Sequence, residues 1–254
     1  MKAVWAIAVN TFKEAIRNKI LYSLIFFALV MMGVSLVLDQ VTVGQRSKII
    51  KDMGLASVNL FGVLIAIVVG IGLVSKEIER RTIYPLLAKP VHRSQFLIGK
   101  YLGIGLTLGV ETVLMTFFLF LLVWLYEGAI DLILLNAIFL IFIEISVVAA
   151  AAILFSTFST PFLSGMFTFA VYVIGHLTED LNRIGIISGN FVLQKFTSFF
   201  YYILPNLENF NIKGEVVYRL PIAPGKILLS ASYGLVYILL MIASAALFQK
   251  RDFK

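Results

Sequence analysis

The sequence predicts an all-α integral membrane protein of six transmembrane helices with both termini in the cytoplasm. Three observations carry this expectation. Of 254 residues 60% are hydrophobic and only 14% are charged, against roughly 25% charged in an ordinary soluble domain. So few charges cannot coat a globular core this apolar, and the surface must face something other than water. Six apolar runs are long enough for helices that cross a hydrocarbon layer of about 30 Å. Finally, lysine and arginine fall mostly on one side of those runs. The whole of 1–254 reads as a single transmembrane domain.

The elements follow in order. Before the first span, Trp5, Ala8, Phe12, Ala15 and Ile16 share one helical face, with Lys13, Glu14, Arg17 and Lys19 largely elsewhere. That pattern suits a helix lying in the cytoplasmic interface; an N-terminal extension of the first span fits it equally well. The spans are expected at 20–38, 54–74, 101–126, 132–155, 162–177 and 227–248. The first two carry no charge, the third holds only Glu111 and the fourth only Glu144. The fifth is short and ends beside His176, whereas the sixth is charge-free and closed by Lys250 and Arg251. A signal peptide is the competing reading of the first run, but its apolar stretch is longer than an h-region and no small-x-small site follows Leu38, so a retained span is expected.

With the N-terminus inside, the cytoplasm receives Lys2, Lys13, Arg17 and Lys19, then Lys76, Arg80, Arg81, Lys89, Arg93 and Lys100, and finally Lys250, Arg251 and Lys254. The eight other cations, spread over longer outer segments, are balanced by as many acids. This asymmetry orients the chain N-in and C-in. The apolar stretch 184–204 competes as a seventh span, but Gly185, Gly189, Asn190, Gln194 and Lys195 are costly in lipid. It reads instead as a re-entrant or interfacial segment within an external region, 178–226, whose aromatic residues (Phe191, Phe196, Phe199, Phe200, Tyr201, Tyr202) suit the headgroup level. That region either gates exit or docks an external partner.

Several functions are excluded. Cysteine is absent, which removes thiolate metal sites and cysteine nucleophiles. The net charge of +7 does not point to nucleic acid, because no basic cluster stands apart from an apolar run. No G-x-x-x-x-G-K-[ST] loop, zincin helix or nucleophile elbow occurs. The chain is therefore expected to be no enzyme, with no cofactor or metal of its own. Gly99, Gly103, Gly105 and Gly109 read as close helix packing in preference to a phosphate loop.

The segment 75–100, SKEIERRTIYPLLAKPVHRSQFLIGK, is short, charged and broken by two prolines. Thr82 can cap a helix starting near Ile83, with Pro85 tolerated in its first turn and Pro90 ending it. Such a short cytoplasmic helix between spans two and three suits docking of a cytosolic partner, and a purely structural turn is the competing reading. Its run of Glu77, Glu79, Arg81, Thr82, Ile83, Leu86, Leu87, Pro90, Val91, Arg93, Phe96, Gly99 and Lys100 resembles the first cytoplasmic loop of type 2 ABC exporter permeases. The six-span layout and the interfacial N-terminal helix resemble that family too. The resemblance implies a permease subunit that pairs with a second permease copy and two cytosolic ATPase subunits, which would bind ATP and Mg. It further implies that 75–100 is the coupling loop: Glu77 and Glu79 orient it, Thr82 caps it, and Leu86, Leu87 and Val91 enter a groove of the ATPase. Arg80, Arg81 and Arg93 would meet partner carboxylates or lipid phosphates. The commoner family pattern has a small residue where this chain has Arg81.

Glu111 and Glu144 are the acids at membrane depth, where carboxylates are costly and usually face a cavity or a partner. Both are candidates for a translocation path or proton site; neutral, hydrogen-bonded structural roles remain open. The sequence offers neither a partner base. His176, beside Thr178, Glu179 and Asp180, is expected to hydrogen-bond at the interface and not to bind metal. Two rival readings stand beside the exporter: a secondary transporter with Glu111 and Glu144 as an ion or proton relay, and a non-transporting scaffold that passes ATPase motion to an external complex. The expected location is a plasma membrane, in bacteria the cell or inner membrane.

Overall fold

The computed structural model describes residues 2–41, 46–79 and 93–248. Among the described residues the chain forms α1 (Lys2–Ile16), α2 (Lys19–Val41), α3 (Arg46–Glu79), α4 (Arg93–Glu127), α5 (Leu134–Ser156), α6 (Pro161–Ile187), α7 (Phe191–Ile203), a 3-10 turn (Leu207–Phe210), α8 (Lys213–Val217) and α9 (Pro224–Phe248), with no strand. Helices α2 to α6 and α9 are long and apolar enough to cross a membrane. An all-α fold suits a bilayer, since a helix satisfies its own backbone hydrogen bonds without water. The all-α fold class and the number of candidate spans, six, are those the sequence predicts. Residues 80–92, and with them the expected coupling helix and Arg81, Thr82, Leu86, Leu87, Pro90 and Val91, lie outside the described residues.

Packing is hierarchical. α3 and α5 form the centre, and small residues let them approach: a Cβ on Gly70 would sit 2.8 Å from Ala152 Cβ, and one on Gly62 would sit 3.2 Å from Ile145 Cγ2. α1 is a separate helix, because the chain breaks at Asn18, whose carboxamide accepts from Ile20 N at 3.1 Å and starts α2. α1 lies on α4, where a Cβ on Gly99 would meet Ile7 Cβ at 2.8 Å and one on Gly103 would meet Ala8 O at 2.6 Å. Its buried stripe is Ala8, Thr11 and Ala15. Trp5, which the sequence puts on the same apolar face, lies outside that stripe and is 61% exposed. The glycine row thus splits in two. Gly99 and Gly103 pack as predicted, whereas Gly105 has nothing within 4 Å and lines, with Gly109, an apolar groove of about 660 Å³ beside Tyr101, Leu106, Phe142 and Leu235.

The helices overrun the hydropathy edges. α3 starts at Arg46 and α4 at Arg93, and α6 continues to Ile187 although its apolar run ends at Leu177. α7 explains the last case. Gly189, at φ +64°, reverses the chain, Asn190 caps α7 by accepting from Val192 N at 3.0 Å, and α7 folds back on α6. There Ser198 Oγ donates to Asn182 Oδ1 at 3.1 Å and Thr197 closes on Gly185. α7 thus covers Gly185 and meets Asn182, while Glu179, Asp180 and Arg183 stay exposed. The 13 residues of α7 extend about 20 Å, too short for a seventh crossing.

Candidate functional site

Polar chemistry concentrates where α3, α5, α6 and the 3-10 turn meet. Glu144 on α5 is fully buried. Its Oε1 lies 2.9 Å from His176 Nε2, and its Oε2 accepts from Asn59 Nδ2 at 2.7 Å. Tyr172, one turn before His176 on α6, donates its hydroxyl to Asn59 Oδ1 at 3.0 Å; its ring stands edge-on to the imidazole at 4.9 Å and 79°. The close α3–α5 approach at Gly62 and Gly70 brings Asn59 within reach of Glu144. Glu208 reaches the other ring nitrogen, with Oε2 3.1 Å from His176 Nδ1.

Local sequence explains how Glu208 arrives there. Gly175 leaves the flank of α6 bare, so that a Cβ there would lie 2.8 Å from Leu207 Cγ and 2.9 Å from Pro205 O. The 3-10 turn packs into that gap. Asn206 caps the turn by accepting from Glu208 N at 3.1 Å and gives its own N–H to Tyr233 Oη on α9 at 2.7 Å. Asn211 donates to Glu208 Oε1 at 2.8 Å. Lys213, on α8, lies within electrostatic reach of Glu144, Glu208 and Asp52. Burial pushes its ammonium below the usual lysine range, and the three carboxylates oppose that shift.

The expectation that the membrane acids lack a base is corrected for Glu144. His176 supplies it, since α6 continues as a helix through His176 and faces the residue toward α5. His176 therefore bonds neither at a helix exit nor with its sequence neighbours Glu179 and Asp180. Both of those are exposed, and Glu179 pairs with Arg183 at 3.4 Å. The two carboxylates bind opposite nitrogens of one ring and so do not converge on a common point. Among the described residues no group of three or more potential ligands could hold a metal ion.

Glu111 is placed differently. It is 2% exposed on α4, and neither carboxylate oxygen has a hydrogen-bond partner. It shares a helical face with the fully buried Leu108, Met115 and Leu119, and Leu119 packs on Gly54 of α3. Of the other predicted residues, Glu77 and Glu79 end α3 and Arg93 begins α4. At the same end, Lys100 is buried 4.0 Å from Glu14 of α1, so the Gly99-Lys100 pair fastens α1 to α4.

A second polar cluster ties the opposite end together. Lys51 on α3 is 3% exposed and lies 2.8 Å from Glu127 and 2.9 Å from Asp131, while Ser47 also bonds Glu127. Arg219, at φ +53°, reaches Asp131 at 3.1 Å. Burial raises the Asp131 carboxyl, but Lys51 and Arg219 outweigh it and hold the group below the usual aspartate range.

No curated protein matches the sequence. The family model described as "ABC-2 family transporter protein" matches residues 5–253, nearly the whole chain, in agreement with the six spans. The chain is therefore a multi-pass membrane protein that belongs to the ABC-2 transporter family, as a permease of that type.

Proposed function

We propose that this chain is the membrane-spanning subunit of an ATP-binding cassette exporter, placed N-in and C-in in a plasma membrane, in bacteria the cell or inner membrane. It works as a dimer with a second permease copy and two cytosolic ATPases. ATP and Mg bind to those partners, and the chain itself hydrolyses nothing. The family match carries the class. The geometry supports the coupling route. α3 and α4 are unbroken helices of 34 and 35 residues, about 50 Å long, well beyond a hydrocarbon layer of about 30 Å. Their ends at Glu79 and Arg93 flank the segment proposed to dock the ATPase through Leu86, Leu87 and Val91. A push on that segment moves α3 as a rod, and α3 carries Asn59 against Glu144.

The test is co-expression with an ABC ATPase from the same organism, sought first in the reading frames beside this one. The ATPase should co-purify with the permease. Leu86→Asp and Leu87→Asp should each weaken that association about tenfold or more, as loss of an apolar anchor does. Transport that persists without any ATPase would sink the reading. The path role of the acids has its own check: Glu111→Gln and Glu144→Gln should lower transport or substrate-stimulated ATP hydrolysis, and unchanged rates in both would remove it.

A further inference from the structure

We propose that Glu208, His176 and Glu144 form a proton path from the outer end of the helix bundle to a buried proton acceptor, Glu144. Only the word "outer" rests on the orientation proposed above. The three side chains are 42%, 22% and 0% exposed in that order, and successive contacts are 3.1 and 2.9 Å. Exposure therefore falls stepwise along an unbroken chain of hydrogen-bonded atoms.

Hydrogen-bond counting requires one proton beyond those of a neutral ring between two carboxylates. An ionised carboxylate only accepts, and neutral imidazole has one donor nitrogen and one acceptor nitrogen. Two carboxylates flanking one neutral ring can satisfy only one of the two contacts. One additional proton satisfies both, and it can reside on Glu208, on the ring or on Glu144 without breaking either contact. The transfer balances. A proton on Glu208 Oε2 bonds to His176 Nδ1 as the Nε2–H bond breaks, and the released proton bonds to Glu144 Oε1. Glu208 ends as a carboxylate, Glu144 as a carboxylic acid, and the ring is neutral before and after with its N–H moved from Nε2 to Nδ1. Return along the same path restores the first tautomer.

The path stops at Glu144. Asn59 occupies Oε2 with an amide N–H, and Tyr172 fixes that amide by donating to its carbonyl oxygen. An amide does not relay protons, so the geometry describes a loading site and not a channel. Lys213 from α8 is the other charged group within electrostatic reach of Glu144 and Glu208, and Asp52 on α3 acts on Lys213, while Glu179 and Asp180 on α6 are exposed. Proton loss leaves the ring one donor short, so either the α5–α6 or the α6–turn contact must loosen. Proton availability at the outer face thereby sets how firmly α6 is held.

The test titrates the full chain in phospholipid nanodiscs, labelled with [15N]histidine and [13C]glutamate. No ATPase is present, so failure of the exporter reading leaves this result untouched. The chain has two histidines, and the one whose signal is lost in H176Q is His176; E144Q assigns the Glu144 carboxyl. The ring nitrogens of His176 and the carboxyl carbon of Glu144 should move together with one shared midpoint. In E208Q proton exchange at His176 should slow about a hundredfold, the scale of a lost acid–base partner, whereas E208D should stay within about threefold of the parent. Separate midpoints for His176 and Glu144, or exchange that E208Q leaves unchanged, overturns the proposal. Should E208Q not fold, the shared midpoint in the unsubstituted chain decides alone.

Discussion

Neighbouring spans α4 and α5 each bury one acid near mid-helix, yet their surroundings are opposite. Within the chain 78% of the α5 span is buried, against 39% of the α4 span. α5 is surrounded, so Glu144 receives partners from α3 and α6. α4 buries one face against α1 and α3 and leaves Leu106, Val110 and Val113 open, and its Glu111 receives none. Burial without neighbours that carry donors isolates a carboxyl, whereas burial at a junction of helices equips it. The same charge in an apolar run therefore marks two different things.

The largest effect should come from Glu144→Ala. A membrane hydrogen bond averages only about 0.6 kcal/mol, so most of the cost comes from stranding His176 and Asn59 among buried neighbours. We expect a loss of about 2–4 kcal/mol in equilibrium unfolding in nanodiscs. A loss no larger than that of two ordinary bonds would erase the contrast with Glu111. Next come the two faces of α4. Gly103→Leu forces a side chain into Thr11 and the Ala8 carbonyl of α1, and should cost about 1–3 kcal/mol. Gly105→Leu enters open space and should stay within about 0.5 kcal/mol. Equal values in the same unfolding assay would mean that α1 does not depend on this contact.

Glu111→Leu should stabilise the chain, by about 1 kcal/mol, because an apolar group of similar size replaces a carboxyl without a partner. A fall in the melting temperature would show that Glu111 has a partner in the assembled protein. The smallest effect is a pH dependence at the opposite cluster. The Asp131 carboxyl is lowered in the fold, so its contribution is present above the ordinary aspartate value of about 3.9 and is lost as pH falls through the lowered value. Melting curves of the parent and of Asp131→Asn should differ near neutrality and converge in acid.

How far the sequence carries depends on range. Spans were legible because hydropathy is a local property, and Glu144 because a carboxylate breaks an apolar run. Its partnership with His176 was not, since 32 residues separate them and only the packing of α5 on α6 joins them. Glu208 gave no signal of its own among the outer acids. In retrospect the Pro205-Asn206 cap, opposite a bare glycine beside His176, is the pattern that places it. Gly99 and Gly103 were legible as packing residues, but Gly105 has the same sequence signature and faces open space, because spacing alone does not say which side of α4 is occupied. The end of α6 lies beyond its apolar run because hydropathy marks contact with lipid, whereas past Leu177 the helix presents exposed Glu179, Asp180 and Arg183 and packs on α7 at Gly185.

The seat of α1 on α4 also has a consequence for biosynthesis. α1 comprises Lys2–Ile16, but Gly99, Lys100 and Gly103, on which it rests, are made only after two spans have been synthesised. The newborn helix must therefore wait with its stripe of Ala8, Thr11 and Ala15 uncovered until the third span is inserted. A chain arrested between the second and third spans would expose that stripe to chaperones and proteases, and completion of α4 would be the step that conceals it.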